Sequence, residues 1–347
     1  MKVLVTGGAG YIGSTVASAC LDEGIEPVIL DSLVTGRAEF TQGRVFYHGD
    51  IADGALLDRI FADHPDIHAT VHCAALIVVP ESVTDPLRYW HANVAKTIAL
   101  VQHLLRNRRP RLLFSSTAAM YGASPPDYAV DEDSPIEPSS PYARTKAAVE
   151  AMLRDVAAAT ELRALSLRYF NPIGADPKLR TGLQVKRPTH LLGKLIEAAE
   201  SGEEFRITGT DWPTRDGTGI RDYIHVWDLA TAHIAGLRRF DEIMGDAIMG
   251  DAAGGDEAAG GALYRVLNLG TGTGTTVREM VEAFEQVTGA PLRKRETAPR
   301  PGDVVGAYTR SDRARRVLGW QPRFSLADGI RDSLRWAEIR DARLPDG

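Results

Sequence analysis

The sequence predicts an α/β protein built on a doubly wound parallel sheet, with a smaller second α/β region towards the C-terminus. Short apolar runs alternate, over the first half of the chain, with segments whose apolar residues recur every three or four positions. These two patterns are typical of buried strands and of amphipathic helices. Because parallel strands are joined by helical crossovers, the alternation indicates a sheet covered by helices on both faces.

The predicted elements follow one another closely along the chain. The apolar runs predict strands at Val3–Thr6, Pro27–Leu30, Val45–His48, Ala69–Cys73, Arg111–Ser115 and Ala164–Tyr169. The periodic segments predict helices at Ile12–Glu23, Gly54–Asp63, Pro86–Arg106 and Tyr142–Thr160.

From Asn171 onwards this rhythm gives way to loops rich in proline and glycine. We therefore expect residues 1–171 to form a first domain and residues 172–347 mainly a second. Further strand–helix patterns predict that residues around 222–240 and 265–290 return to the first domain. Residues 241–261 repeat Ile-Met-Gly-Asp-Ala among other small residues, which predicts a flexible low-complexity surface loop.

The composition narrows the classes of function. The chain has 347 residues, of which 44% are hydrophobic, and a net charge of −6, which argues against nucleic-acid binding. It has no apolar run long enough to span a membrane. The predicted strand at residues 2–6 leaves no room for a signal peptide. Cys20 and Cys73 both lie in apolar segments, so we expect a reducing, cytoplasmic location and no metal site.

The glycine-rich segment after the first strand has the pattern of a dinucleotide-binding turn. Gly7, Gly8, Gly10 and Gly13 lie between a predicted strand and a predicted helix, and Asp31 ends the second strand. The glycines let the backbone approach a pyrophosphate, and the helix N-terminus stabilises its charge. A carboxylate at Asp31 can bind both ribose hydroxyls and repels a 2′-phosphate. The motif predicts a Rossmann-type first domain that binds NAD rather than NADP.

Three later segments lie where the same cofactor needs neighbours. Asp50-Ile51 follows the third strand, where a carboxylate can bind the adenine amino group. The small residues of Cys73–Ala75 end the fourth strand, and Asn93 lies on the helix after it. Each alone is typical of a cap, a turn or a packing residue, so the prediction depends on all of them together.

Tyr142 and Lys146 lie four residues apart, on one face of a predicted helix. An exposed aromatic beside a solvated lysine is the plain interpretation of such a pair. The chemical interpretation is a base, because a nearby ammonium and an oxidised nicotinamide both favour the phenolate and move its pKa towards 7. Thr117 follows the fifth strand at the edge where ligands bind in open parallel sheets, so its hydroxyl can hydrogen-bond the reacting oxygen.

These motifs resemble those of the extended short-chain dehydrogenases/reductases, and among them the UDP-glucose 4-epimerases. The resemblance spans nearly the whole chain. It rests on the opening Val5–Gly13, Phe114–Thr117 with Tyr121-Gly122, Pro141-Tyr142 with Lys146, Arg168–Pro172, Asp216–Val226 and Gly302-Asp303. The run from Asp216 to Val226 is the most specific of these.

The resemblance implies a role for each matching residue. It makes Tyr142 the base, Lys146 its electrostatic partner and Thr117 the helper hydroxyl. The implied NAD ligands are Gly7, Gly8, Gly10, Tyr11, Ile12, Gly13, Asp31, Ser32, Asp50, Ile51, Cys73, Ala74, Ala75, Asn93, Ser115, Tyr142, Lys146 and Phe170. The implied UDP-sugar ligands are Thr117, Tyr142, Asn171, Leu191, Phe205, Ile207, Arg221, Arg300, Asp303 and Ala307.

The implied activity is an isomerisation: UDP-glucose and UDP-galactose interconvert through transient oxidation at carbon 4 by bound NAD. Three alternatives stay open, namely an epimerase of another UDP-sugar such as a pentose or uronate, a nucleotide-sugar 4,6-dehydratase, and a non-catalytic NAD sensor. The dehydratases use an Asp-Glu pair after the threonine, where this chain has Ala118-Ala119. Retention of Tyr142 and Lys146 argues against a sensor.

The sequence departs from many of these epimerases at two places, and two finer expectations follow from the resemblance. Ile77 replaces a lysine near the cofactor phosphates, and the segment from Thr181 to His190 differs, so diphosphate contacts are expected to be rearranged.

The small Ala307 is expected to admit UDP-N-acetyl sugars. The helices Pro86–Arg106 and Tyr142–Thr160 are expected to pair across a two-fold axis in a homodimer.

Overall fold

A computed structural model shows the fold and describes residues 1–122, 127–186, 188–245, 263–299 and 304–345. Its central feature is a seven-stranded parallel sheet in the order β3-β2-β1-β4-β5-β7-β11. The order reverses between β1 and β4, which is the switch point at which doubly wound folds bind ligands. The strands of this sheet are β1 (Lys2–Thr6), β2 (Glu26–Asp31), β3 (Val45–His48), β4 (Ile67–His72), β5 (Arg111–Thr117), β7 (Arg163–Tyr169) and β11 (Tyr264–Leu269).

Helices cover both faces of this sheet, so the predicted doubly wound α/β fold is confirmed. One face packs against α1 and α8 in an apolar core that includes Val16, Leu113, Leu165 and Leu229. The other face packs against α2, α5 and α6. The helices of this lobe are α1 (Tyr11–Asp22), α2 (Gly54–Asp63), α3 (Val79–Thr84), α4 (Pro86–Trp90), α5 (Lys96–Arg106), α6 (Pro141–Ala159) and α8 (Val226–Arg238).

The long helix predicted at Pro86–Arg106 is interrupted. Residues His91–Ala95 form a π-helical turn between α4 and α5. Such a turn adds a residue to the helical repeat, and it brings the buried Asn93 side chain to the backbone of Leu76, from which its Oδ1 accepts a 2.8 Å hydrogen bond. Apolar periodicity does not reveal the extra residue, so the sequence pattern predicted one continuous helix.

A second lobe has its own sheets and core. Its three-stranded sheet has the order β12-β10-β8, and two parallel pairs, β9 with β13 and β6 with β14, lie beside it. Its core includes Leu195, Tyr223, Phe284 and Ile330. The remaining strands are β6 (Ala129–Val130), β8 (Asn171–Ile173), β9 (Phe205–Thr208), β10 (Ile220–His225), β12 (Gly274–Thr276), β13 (Lys294–Thr297) and β14 (Tyr308–Thr309). The remaining helices are α7 (Leu191–Ser201), α9 (Phe240–Gly245), α10 (Val277–Thr288), α11 (Asp312–Leu318) and α12 (Leu326–Arg343).

The two lobes interleave along the chain. After β10 of the second lobe, α8 packs on the large sheet, and β11 then pairs with β7. Helix α10, by contrast, packs into the second core through Met280 and Phe284. We therefore propose that the first domain recovers α8 and β11 but not the whole of residues 265–290.

The predicted loop at residues 241–261 starts as helix α9, because Phe240, Ile243 and Met244 are buried against the core of the first lobe. The rest of that loop lies outside the described residues. Among the described helices, none combines the length and hydropathy that crossing a bilayer requires.

Candidate active site

The glycine-rich loop after β1 is packed too tightly for any side chain at two positions. Gly7 has a φ of +71°, and a Cβ there would lie 2.5 Å from the backbone nitrogen of Ala74. A Cβ at Gly13 would lie 2.2 Å from the carbonyl oxygen of Gly7. Gly10, the N-cap of α1, would meet only that same carbonyl oxygen, at 3.4 Å. The loop thus brings bare backbone and an uncapped helix N-terminus to the switch point of the sheet, which fits a pyrophosphate.

Asp31 ends β2 beside this loop. Its Oδ2 accepts a 2.9 Å hydrogen bond from the backbone N–H of Ala9, and its Oδ1 accepts one of 2.8 Å from that of Leu33. The side chain is buried, and burial raises the pKa of the carboxyl more than these two hydrogen bonds lower it. Each oxygen keeps a further acceptor position, so the fixed carboxylate fits the two hydroxyls of an adenosine ribose. A phosphate on one of those hydroxyls would be repelled.

Two predicted NAD ligands are engaged within the protein. Asp50 forms an ion pair with Lys96, and its Oδ1 accepts a 2.9 Å hydrogen bond from the backbone N–H of Ala52. Asn93 binds the backbone of Leu76 with both ends of its amide. These contacts fix both side chains, and their roles towards NAD stay predictions, as do those of the half-buried Ser32, the buried Ile51 and the small residues Cys73–Ala75.

Tyr142 lies in the first turn of α6, where two polar groups fix its backbone. Ser140 caps the helix, because its Oγ accepts a 3.2 Å hydrogen bond from the N–H of Ala143, and Pro141 occupies the first helical position. The N–H of Tyr142 itself donates to Oγ of Ser82 at 3.2 Å. Ser82 was not predicted from the sequence, because a serine in a short helix carries no distinctive signal.

The side chain of Thr117 lies beside that of Tyr142, close enough that its hydroxyl lowers the pKa of the tyrosine. Strand β5 ends at Thr117, which also caps the turn that follows by accepting a 3.1 Å hydrogen bond from the N–H of Ala119. The predicted helper hydroxyl and the predicted base therefore meet at the carboxyl edge of the sheet.

Lys146 lies one turn further along α6, facing the end of β5. Its Nζ donates a 2.7 Å hydrogen bond to the carbonyl oxygen of Ser115 and lies 4.7 Å from the centroid of the Phe114 ring. The ammonium is almost fully buried, and burial lowers its pKa to about 8 although Cys73 and Glu150 raise it. A lysine held this way carries its charge at neutral pH and loses it at mildly alkaline pH.

The pKa of Tyr142 moves upwards within the polypeptide, because burial raises it more than the hydrogen bond from Thr117 lowers it. The sequence predicted a shift towards 7 from the lysine and the oxidised nicotinamide together. The polypeptide alone does not produce that shift, so a base at Tyr142 needs a further positive charge beside its hydroxyl.

The residues predicted for the sugar nucleotide lie in different parts of the structure. Asn171 starts β8, directly after Phe170, which was predicted to bind NAD. Phe170 packs with Tyr121 and Val130 in a small apolar cluster that Ala307 also contacts. Phe205 and Ile207, by contrast, are buried in the core of the second lobe, and the half-buried Leu191 packs against that core. Arg300 and Asp303 lie outside the described residues.

Backbone carbonyl groups hold the guanidinium of Arg221, where strand β10 meets the segment that starts at residue 304. Its Nη1 donates to the carbonyl oxygens of Ile220 at 2.7 Å and Val305 at 2.6 Å, and its Nη2 donates to that of Val304 at 3.1 Å. Gly306 has a φ of +103°, and a Cβ there would lie 1.7 Å from Nη1. Gly306 is therefore a site residue that sequence reasoning missed, although a glycine close to the matched Gly302-Asp303 was a usable signal.

A pocket lies where the two lobes meet. It is lined by Tyr11 of the first lobe, by the segment Pro172–Gly174 and by α7 and α12. Tyr11 donates a 2.6 Å hydrogen bond to the carbonyl oxygen of Gly174 across it. Neither Thr117 nor Tyr142 lines this cavity, so it is separate from the reacting centre.

The switch-point loop, the fixed Asp31 and the Tyr142–Lys146 pair lie where the sequence predicts the site of an α/β enzyme that binds a nicotinamide dinucleotide. Residues 3–249 match the NAD dependent epimerase/dehydratase family. The chain belongs to this family, and its cofactor is NAD.

Known proteins of this kind are similar over almost the whole chain. A UDP-glucose 4-epimerase of Azospirillum brasilense is 43% identical over 96% of this chain and 91% of its own length. One of Rhizobium meliloti is 40% identical over 98% of both chains. The crystal structure of a UDP-glucose-4-epimerase from Stenotrophomonas maltophila, with bound NAD and formylated UDP-arabinopyranose, is 36% identical, covers 99% of both chains and has a TM-score of 0.89.

Proposed function

We propose that this protein is a UDP-glucose 4-epimerase, an isomerase that interconverts UDP-glucose and UDP-galactose. The observation that carries the proposal is the meeting of the Thr117 and Tyr142 hydroxyls, with Lys146 one turn further along α6, at the carboxyl edge of the sheet. The similarity to UDP-glucose 4-epimerases over nearly the full chain supports the choice of substrate.

The side chains at this edge handle the proton of the sugar 4-hydroxyl. Tyr142 accepts it as general base and returns it in the step that reduces carbon 4 again from its opposite face. Thr117 holds the same oxygen by its hydroxyl, and the charge of Lys146 stabilises the phenolate. When bound, NAD supplies the reversible oxidation of carbon 4.

The diphosphate of the substrate needs positive charge that an acidic protein must supply locally. Three backbone carbonyls already fix the side chain of Arg221, so little of its conformational entropy is lost when the substrate binds. We assign the diphosphate to Arg221 together with Arg300, the ribose to Asp303 and neighbouring contacts to Asn171 and Leu191. Phe205 and Ile207 are assigned to the wall behind the uracil, where their burial gives the wall rigidity.

We propose that UDP-N-acetyl sugars are substrates as well. Ala307 packs against the apolar cluster of Tyr121, Val130 and Phe170, and its methyl group is the side chain assigned to this wall of the sugar site. A small side chain leaves room for the 2-acetamido group. A 4,6-dehydratase is disfavoured because Ala118 and Ala119 follow Thr117 in place of the acids that elimination requires.

Incubation with UDP-galactose tests the function directly. Purified protein without added NAD is expected to convert UDP-galactose to an equilibrium mixture containing UDP-glucose, which anion-exchange chromatography resolves. Mass spectrometry of the nucleotide released on denaturation is expected to identify NAD. A parallel panel of UDP-pentoses and UDP-uronates separates the alternatives, and turnover of one of these without turnover of UDP-galactose would overturn the assignment.

We also propose that the protein is a homodimer. The segment from α3 to α5 exposes several large apolar side chains next to α6, a concentration typical of an interface. These side chains are Val79, Val83, Leu87, Trp90 and Ile98. A cytoplasmic location is proposed as well, supported by the two free thiols of Cys20 and Cys73.

A further inference from the structure

A buried ion pair lies directly behind the residues assigned to catalysis. Arg168 on β7 and Glu150 on α6 are 3% and 4% exposed. Nη2 of Arg168 donates to Oε2 of Glu150 at 2.6 Å, and Nε donates to Oε1 at 3.0 Å. Such a two-point bond fixes the guanidinium relative to the helix. Because a buried ion pair is often no more stabilising than apolar residues of similar volume, stability alone does not explain it.

The carboxylate of Glu150 also holds two hydroxyl groups from neighbouring strands. Oγ of Ser116 donates to its Oε1 at 2.5 Å, and the hydroxyl of Tyr264 donates to its Oε2 at 3.2 Å. Ser116, Arg168 and Asn268 are register partners on β5, β7 and β11, so their side chains lie side by side on the face that α6 covers. Four hydrogen bonds therefore connect one carboxylate to three adjacent strands.

The same ion pair holds the segment that carries Thr117 at both of its ends. Ser116 precedes Thr117 and binds Glu150. Tyr121 follows the short turn after Thr117, and its hydroxyl accepts a 2.7 Å hydrogen bond from Nη1 of Arg168. The same hydroxyl donates to Oδ1 of Asn268 at 2.6 Å. A shift of the ion pair would therefore move the hydroxyl that binds Tyr142.

Glu150 follows Lys146 by one turn of α6, so the two side chains lie on the same side of the helix. Glu150 raises the pKa of the lysine against the effect of burial. Two other titratable groups near Lys146 are neutral at pH 7, since burial raises the pKa of Cys73 to about 12 and lowers that of His72 to about 3. Glu150 is thus the described carboxylate that opposes loss of the ammonium charge.

We propose that Glu150, Arg168 and Tyr121 are positioning residues for the epimerase reaction, which hold Thr117 against Tyr142 and keep Lys146 charged. This inference rests on the proposed function. It adds three residues whose role is exerted through Thr117 and Lys146.

The Tyr121→Phe variant tests the positional part. It removes the bonds to Arg168 and Asn268 but keeps the ring in its apolar cluster, so it is expected to fold. We expect its kcat for UDP-galactose to fall about tenfold with KM nearly unchanged, the loss that one buried hydrogen bond to a charged group entails. Tyr47→Phe is the matched control, because the Tyr47 hydroxyl binds Asp63 at the far edge of the sheet. Wild-type kcat in Tyr121→Phe would overturn this part.

The Glu150→Gln variant tests the electrostatic part by its pH profile. Loss of the anion lowers the pKa of Lys146 further, so the alkaline limb of kcat is expected to move to lower pH. A lower melting temperature with an unmoved alkaline limb would show a merely structural role. If Glu150→Gln does not fold, the electrostatic part is withdrawn and Tyr121→Phe decides the positional part. An inactive wild type would refute the proposed function, whereas an active wild type with indistinguishable variants refutes only this inference.

Discussion

Nζ of Lys146 donates a 2.7 Å hydrogen bond to the backbone carbonyl of Ser115. This contact joins the second turn of α6 to the end of β5, since Ser115 lies two residues before Thr117. The proposed base, its proposed electrostatic partner and the proposed helper hydroxyl are therefore placed by one strand of the central sheet and one helix that packs on it. Sites built this way hold their geometry better than sites built on loops.

Replacement of Tyr142 by phenylalanine removes the proposed base and leaves the packing of the ring. We expect turnover of UDP-galactose to fall by about 10²–10⁴-fold, the usual contribution of a positioned acid–base group. The NAD released on denaturation should match the wild-type amount, since the ring and Lys146 remain. Turnover within a few-fold of wild type would exclude Tyr142 as the base.

Replacement of Lys146 by methionine is expected to abolish activity and to stabilise the protein at neutral pH. Burial lowers the pKa of Lys146 from 10.5 to about 8, so the native state carries a charge at pH 7 that the unfolded chain carries more favourably. This penalty is present below pH 8 and disappears as the pH rises towards 10.5. Its size is about 3 kcal/mol from the shift, reduced by about 1 kcal/mol for the lost hydrogen bond to Ser115.

Urea unfolding at pH 7 and at pH 10 measures this effect. The stabilisation by Lys146→Met should be clear at pH 7 and small at pH 10. Lys194→Met is the matched control, because Lys194 is an exposed partner of Glu197 and its replacement should change little at either pH. Equal destabilisation of Lys146→Met at both pH values would contradict the buried-charge account.

Replacement of Asp31 by serine should shift cofactor choice. The carboxylate that repels a 2′-phosphate is lost, and a serine hydroxyl can donate to that phosphate. Titration of nucleotide-free variant is expected to give weaker NAD binding and measurable NADP binding, where the wild type binds only NAD. Unchanged preference would show that residues other than Asp31 exclude the phosphate.

Much of the fold could be predicted from the sequence because the patterns that predict it are formed by residues close to one another in the chain. Strand–helix alternation, the glycine turn and the spacing of Tyr142 and Lys146 each depend on residues close in the chain. The helix ends also lie within a residue or two of the predicted positions, since Ser140 and Pro141 specify the start of α6 chemically. The π-turn at His91–Ala95 was missed because it depends on where the Asn93 amide finds its partners.

The parts of the site that sequence reasoning missed depend on contacts between distant segments. The bond between Ser82 and the N–H of Tyr142 joins two helices, and the carbonyls around Arg221 come from a segment far along the chain. The raised pKa of Tyr142 is likewise a result of burial, which residue spacing does not express. Glu150 could have been noted, because it follows Lys146 at helical spacing.

Replacement of Ala307 by tyrosine should narrow the sugar range. The larger side chain would extend from the cluster of Tyr121, Val130 and Phe170 into the space assigned to the 2-acetamido group. We expect turnover of UDP-N-acetylglucosamine to fall at least tenfold while turnover of UDP-glucose stays within about threefold, in the range of one steric clash. The same assay on the wild type is the reference, and a wild type that fails on the N-acetyl sugar would remove the premise.

Replacement of Leu87 by arginine tests the homodimer. Leu87 on α4 is 80% exposed in the single chain, among the apolar side chains of α3 to α5. A buried arginine there would meet the partner's apolar surface with an unpaired charge, at a cost of several kcal/mol per protomer. We expect light scattering to give twice the chain mass for the wild type and one chain mass for Leu87→Arg.

Val34→Arg is the matched control, because Val34 is 68% exposed but lies outside this surface, so that variant should stay dimeric. A dimeric Leu87→Arg variant would place the interface elsewhere, and a monomeric wild type would refute the dimer.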